Sequence, residues 1–181
     1  LDILSVNTLR YSDQGWYCAT TDGFGVVHVA YHFGIDVAKE AILGIHGGGG
    51  AARSIASAWM KAGGRVASLG GRRQLPATLA NFKHKTDSEF DVIIDTEGTL
   101  DEFPQSKYLL HPTYTIMDGT LDQRFDQLTL NNHQIDGRWM LAAQHLESWR
   151  CLWTPSLIED LPSLEQLMTW MTILEHELNE N

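Results

Sequence analysis

Cysteine is scarce: Cys18 and Cys151 are the two in 181 residues, too few for a disulfide framework and at a spacing that matches no zinc site. Positive charge is short as well, with 13 Lys and Arg against 23 Asp and Glu, a net charge of -10, and no basic stripe. Nucleic acid would be repelled by such a chain. Long apolar runs are missing: the stretch from Phe24 to Tyr31 is broken by His28, well short of the roughly 20 residues of a membrane span. No basic start followed by an apolar run marks a signal peptide. These absences lead us to expect a cytoplasmic protein with neither nucleic acid nor a membrane as partner. What is present is ordinary for a globular chain: 43% hydrophobic and 20% charged residues, enough to bury a core and too apolar for disorder, at a length suited to about one domain. The chain opens on Leu1, already in the apolar pattern Leu1, Ile3, Leu4, Val6, which is expected of a piece of something longer.

Residues 1–11 and 15–20 read as extended segments around a turn at Ser12-Asp13-Gln14-Gly15, a hairpin signature. Phe24, Val27, Tyr31 and Phe33 follow at helical spacing as far as Gly34. Ala41 to His46 is a buried strand by composition and runs directly into four glycines, after which Ala51 to Ala62 is a helix ended by Gly63-Gly64. Arg65 to Leu69 is a second strand, followed by a weak helical segment to about Phe82; Asp91 to Asp95 is a third, with the continuous apolar character of a central parallel strand, and Tyr114 to Met117 a fourth. Met140, Leu141, Leu146, Trp149, Leu152 and Trp153 form one apolar helical face. Ser163 and Gln166 make a capping box for a last helix striped by Leu164, Leu167, Met168, Met171, Leu174 and Leu178. Strands alternating with helices predict an α/β fold: a Rossmann-like, mostly parallel sheet with helices on both faces, reduced in size, plus C-terminal helices.

The turn Gly47-Gly48-Gly49-Gly50-Ala51-Ala52 joins strand to helix and fits G-x-G-x-x-A. In that pattern the first glycine permits a tight turn, the second lets backbone amides approach a pyrophosphate, and the small third residue lets helix and strand pack closely. The bland alternative is a flexible loop. A site for NAD ends its second strand in Asp or Glu, whereas a 2′-phosphate calls for Arg. Here the segment is Gly70-Gly71-Arg72-Arg73, which favours NADP; two arginines in a solvated turn are the alternative. Asp22 precedes a helical run, where it serves either as a cap for the amides of residues 24 and 25 or as an acid/base group. His28 and His32 lie four apart on one helix, but no third ligand accompanies them, so no metal is expected; His46 reads as a packed residue at a strand end.

Five segments stand in order along nearly the whole chain: Ser5-Val6-Asn7-Thr8-Leu9, Thr21-Asp22-Gly23-Phe24-Gly25, the glycine turn with Ala51-Ala52-Arg53, Gly137-Arg138-Trp139-Met140-Leu141 with Gln144, and Leu152-Trp153-Thr154. Together they resemble shikimate dehydrogenase, whose segments read A-V-N-T-L, N-T-D-G-x-G, G-A-G-G-A-A-R, D-G-x-x-M-L-x-x-Q and L-W-T-G. The resemblance implies hydride transfer between NADP and C3 of a cyclohexene ring, interconverting 3-dehydroshikimate and shikimate, with a Lys and Asp pair handling the hydroxyl proton. By position Asp22 corresponds to the catalytic Asp, and Asn7 and Gln144 to residues that bond substrate hydroxyls. Gly47, Gly48, Gly49, Gly50 and Ala51 correspond to the diphosphate turn, and Arg72 and Arg73 to the 2′-phosphate segment N-R-T. Gly137 and Met140 correspond to positions beside the nicotinamide. The implied division is 1–22 as a remnant of the substrate-domain sheet and hinge, 23–153 as the NADP-binding domain, and 154–181 as a C-terminal helix packing toward the substrate domain.

The departures are specific. The family's Lys lies in an N-V-T-x-P-x-K segment upstream of A-V-N-T, and none of Lys39, Lys61, Lys83, Lys85 and Lys107 sits in a comparable motif. Its N-A-T-P stretch is Asp95-Thr96-Glu97-Gly98 here, which brings a carboxylate toward phosphates. The connection from Arg73 to Phe90 is too short for the usual helix, strand and helix. Two functions are therefore expected: the cofactor part of a shikimate dehydrogenase-like enzyme, acting on shikimate, quinate or another hydroxylated acid, or a non-catalytic ligand-sensing or assembly module. The expected partners are that small acid and either a missing N-terminal segment or a second copy of the chain.

Overall fold

A computed structural model describes residues 3–84, 89–100, 102–110, 112, 133–153 and 155–179. Strands β1 (Thr8–Ser12) and β2 (Gly15–Ala19) pair antiparallel through a two-residue loop, Asp13-Gln14, and Gly15 supplies the positive φ of 112° that the loop requires. An isolated two-stranded ribbon is marginal in water. This one is tied down by Thr8 Oγ1, 3.0 Å from Ser148 Oγ, and by Arg10, whose Nη1 donates to the Leu152 carbonyl at 2.5 Å.

Among the described residues five parallel strands follow: β3 (Ile42–His46), β4 (Arg65–Ser68), β5 (Phe90–Asp95), β6 (Ser106–Leu110) and β7 (His133–Ile135), in the spatial order β4-β3-β5-β6-β7. The order reverses between β3 and β5, and in open α/β sheets ligands bind outside the carboxyl ends of the strands at such a reversal. The glycine turn leaves β3 at that point, beside the end of β5, where His46 is the register partner of Asp95.

Helices α1 (Asp22–His32), α2 (Gly50–Lys61) and α3 (Gly137–Ser148) pack on one sheet face around Val26, Val29, Leu43, Ile45, Ile55, Trp59, Ile94 and Met140, all essentially buried. Buried Trp59 keeps its indole N–H satisfied by donating to the Ala41 carbonyl at 2.9 Å. On the other face Phe90, Ile93 and Leu109 are covered, among the described residues, by the loop side chains Leu69, Phe82, Leu100 and Phe103 rather than by helices. The connection from β5 to β6 explains this: residues 96–105 are fewer than the dozen a helical crossover requires.

The weak helix expected after Arg73 is absent; only one 3₁₀ turn, Ala77–Leu79, forms there. The segment instead satisfies the exposed edge of β4, since Val66 N donates to Asn81 Oδ1 at 2.7 Å and Phe82 N to the Val66 carbonyl at 2.9 Å. The strand expected at Tyr114–Met117 lies outside the described residues; the strand after β5 is Ser106–Leu110, which sequence reading left out. The last helix, α4 (Leu164–Asn179), opens on the expected capping box: Gln166 N donates to Ser163 Oγ at 3.2 Å and Ser163 N to Gln166 Oε1 at 2.9 Å. Leu164, Leu167, Met168 and Met171 of its stripe join the main core, whereas Leu174 and Leu178 face solvent. No described helix is long and apolar enough to cross a membrane.

Candidate active site

Asn7, just before β1, and Asp22, the first residue of α1, meet although they are 15 residues apart. The Asn7 amide nitrogen donates to Asp22 Oδ1 at 2.7 Å and to Thr21 Oγ1 at 3.0 Å, while its oxygen accepts from Thr21 N at 2.8 Å. Thr21 is the cap position, yet neither it nor Asp22 bonds the first amides of α1 through its side chain. The cap alternative for Asp22 is therefore not what the geometry displays. Thr21 Oγ1 lies 3.1 Å from Ser148 Oγ, which donates to the Gln144 carbonyl at 2.9 Å. Gln144 rests on α1 one turn beyond Asp22, where its backbone fills the space a Cβ on Gly25 would need.

Two glycines make this approach possible. A Cβ at Gly23 would collide with the Ser54 carbonyl, so α1 lies directly on α2, and Gly23 N donates to Ser54 Oγ at 3.0 Å. Asp22 is 9% exposed as a result. Burial pushes its carboxyl above the usual carboxylate range, and the single bond from Asn7 recovers only part of that rise. A buried carboxyl raised above its usual range, which Asn7 links to the Thr21 and Ser148 hydroxyls, is suited to exchange a proton with a substrate hydroxyl.

The glycine turn lies next door: a Cβ on Gly50 would meet Ser5 Oγ, two residues before Asn7, at 2.7 Å. Gly47 has φ of 110° and its N–H donates to the Gly70 carbonyl at 2.8 Å, which draws the end of β4 over the turn. Gly48 is buried, and the Arg73 and Gln74 carbonyls occupy the space in front of it. Gly49 is open, and α2 begins there with no side-chain cap on its amides. Glu97 reaches in from the end of β5, its Cγ 3.1 Å from where a Cβ on Gly47 would stand. Its carboxylate accepts from Arg72 N at 2.7 Å and Arg73 N at 3.4 Å, with Arg72 Nε 3.8 Å away, and the side chain is 8% exposed. Those amide bonds, that of Arg72 first, hold the carboxyl below its usual range. As the turn stands, its residues do not fit a dinucleotide: chain carbonyls fill the approach to Gly48, and a carboxylate sits where phosphate charge would gather.

The Arg72 guanidinium is 86% exposed. Met140 is fully buried in the main core, where it packs α3 on the sheet, and Gly137 is buried at the start of α3, at the carboxyl end of β7. His28 and His32 diverge to separate acids: His28 Nδ1 lies 3.7 Å from Glu147 Oε1, and His32 Nδ1 lies 3.3 Å from Glu165 Oε1.

Solved structures share this arrangement of strands and helices. The fold is that of the shikimate dehydrogenases. Shikimate dehydrogenase 1 from Peptoclostridium difficile superposes with a TM-score of 0.65 at 18% identity, covering 97% of this chain and 68% of that one. The shikimate 5-dehydrogenase of Thermus thermophilus, in complex with NADP(H) and shikimate, gives 0.68 at 20% identity over 91% of this chain and 66% of that one. A chorismate mutase/shikimate 5-dehydrogenase fusion from Clostridium acetobutylicum gives 0.65 at 19% identity over 98% and 69%. This chain thus spans about two thirds of the length of the dehydrogenase structures it matches. No protein-family model and no curated protein matches its sequence.

Sequence reading missed Thr21, Ser148 and the pair His46–Asp95. Asp95 is 2% exposed and accepts from His46 Nδ1 at 2.8 Å, from Glu97 N and Gly98 N at 3.0 and 2.9 Å, and from Leu100 N at 2.8 Å. An ionised carboxylate only accepts, so Nδ1 of His46 carries the proton. An Asp at the end of a β-strand followed by Thr-Glu-Gly is the only local signal of that anchor; nothing near Ser148 in the sequence marks it.

Proposed function

We propose that the chain is the cofactor-side part of a shikimate dehydrogenase-like oxidoreductase, interconverting a ring ketone and a ring hydroxyl on a hydroxylated cyclohexene carboxylate with NADP as the nucleotide. The observation that carries this reading is the 2.7 Å bond from Asn7 to a buried Asp22 within a cluster of hydroxyls that adjoins the glycine turn through Ser5. In this reading Asp22 holds the proton exchanged with the substrate hydroxyl. Asn7, whose two amide hydrogens go to Asp22 and Thr21, keeps the Asp22 carboxyl aimed, and Gln144 bonds a neighbouring hydroxyl. Several polar groups that would go unpaired with a wrong ligand favour a polyhydroxylated acid. Gly49, Gly50 and Ala51 at the uncapped start of α2, with Arg72 and Arg73 across the turn, are the nucleotide side of this reading, which takes NADP only once the Glu97 carboxylate and the carbonyls over Gly48 have moved aside. The chain works in the cytoplasm, with the partner of Asp22 in proton transfer supplied by a segment outside this sequence.

The test is shikimate oxidation with NADP by the full-length gene product, followed at the nicotinamide absorbance. Turnover lost on Asp22→Asn is expected; no turnover of shikimate or quinate by the unaltered protein overturns the reading. One observation favours a second function. The carbonyls over Gly48 and the carboxylate at Gly47 suit a non-catalytic, ligand-sensing module, which would bind the hydroxylated acid with no NADP present.

A further inference from the structure

The amides of Arg72 and Arg73 follow one another in the turn after β4 and point at one place, with the Arg72 guanidinium beside them. Consecutive amides of this kind form a nest for an anion. Here the anion is internal: the Glu97 carboxylate, nearly buried, fills it. The same carboxylate leans on Gly47, and a Cβ on Gly71 would stand 3.3 Å from Glu97 Oε2, so two glycines make way for it. Glu97 is in turn held by Asp95, whose Oδ1 accepts its backbone N–H at 3.0 Å, and Asp95 is anchored to His46 under the turn. The chain residues over Gly48, Arg73 and Gln74, belong to the segment whose amides Glu97 holds.

We propose that Glu97 is a specificity-determining residue that stands in for a phosphate group in the nest of Arg72 and Arg73, and thereby bars phosphate-bearing nucleotides from the glycine turn until it is withdrawn. Three effects of Glu97 add. The carboxylate occupies the donors a phosphate requires, it repels further negative charge at close range, and its hold on the turn keeps the Arg73 and Gln74 carbonyls over Gly48. An Arg at the end of the second strand serves a 2′-phosphate in dinucleotide sites, so the group excluded most strongly is the extra phosphate of NADP. This rests on reading the glycine turn as a nucleotide seat.

The experiment is calorimetric titration of the full chain and of Glu97→Ala and Glu97→Gln with NADP and with NAD, together with amide hydrogen exchange at Arg72 and Arg73. The unaltered protein is expected to bind both nucleotides weakly and with little preference. Glu97→Ala should expose the two amides to exchange, tighten NADP at least tenfold, and tighten it more than NAD. Glu97→Gln, which keeps the shape and drops the charge, should give a smaller gain of the same sign and covers the case in which the alanine variant fails to fold. Equal, tight NADP binding by all three proteins overturns the proposal and leaves the nucleotide seat standing. Faster exchange at Arg72 and Arg73 with no NADP binding up to millimolar concentration overturns both, since the nest has then been emptied and still takes no nucleotide.

Discussion

Asp22 at the start of α1 and Asp95 at the carboxyl end of the central strand β5 are both buried carboxyls, 9% and 2% exposed, and they are driven in opposite directions. Burial raises both. Asp22 meets one donor among the described residues, Asn7, and stays above its usual range. Asp95 meets four, from His46, Glu97, Gly98 and Leu100, and burial is outweighed, so its carboxyl falls below the usual range. Donor count, more than depth, separates a carboxyl that can trade a proton from one that acts as a fixed anion. Asp95 spends its charge holding the turn beneath the glycines, and Asp22 keeps its own in reserve.

The contrast can be broken or sharpened in five ways. The largest effect is expected in turnover: Asp22→Asn in the full-length gene product should lower kcat by about 10²- to 10⁴-fold with little change in KM, measured by steady-state kinetics with shikimate. Asp95→Ala has no such role to lose and should act on stability, lowering it by about 3 kcal/mol in urea unfolding because three amides and the His46 N–H are left without an acceptor.

Gly23→Ala comes next, at about 2 kcal/mol, since the added Cβ pushes α1 off the Ser54 carbonyl; an unchanged urea midpoint would show that α2 yields freely. The smallest effect has the opposite sign. A carboxyl whose folded value is raised contributes stability that is complete below the unfolded value, about 3.9, and is lost as pH climbs through the folded one. Asp22→Asn should therefore raise Tm at pH 7 and leave it unchanged near pH 3, read by calorimetry across pH. Asp95 runs the other way: its contribution is present above the unfolded value and is lost as pH falls through the lowered folded one, so Asp95→Asn should cost less at low pH than at pH 7.

Much of the fold was legible because its signals are local. Turn chemistry at Asp13-Gln14-Gly15 gives the hairpin, apolar runs give β3, β4 and β5, and Ser163 with Gln166 starts α4. Where competition between segments decides, reading failed. Residues 74–82 have a weak helical pattern, but the open edge of β4 offered Asn81 and Phe82 better partners than a helix would. Of the candidate site, Asn7 and Asp22 were visible one by one, and their bond was not. Glu97 was visible as a misplaced charge, and its occupation of the Arg72 and Arg73 amides was not.

The amino-acid order alone determined where the chain turns, which stretches are strand or helix, and that four glycines join one to the other, because backbone freedom and periodicity act over a few residues. Tertiary packing alone decided which carboxyl is raised and which is lowered, what sits on the glycines, and that Ser148 completes a cluster begun 140 residues earlier at Thr8. Desolvation and donor supply act through space, and the groups that set them arrive from segments far apart along the chain.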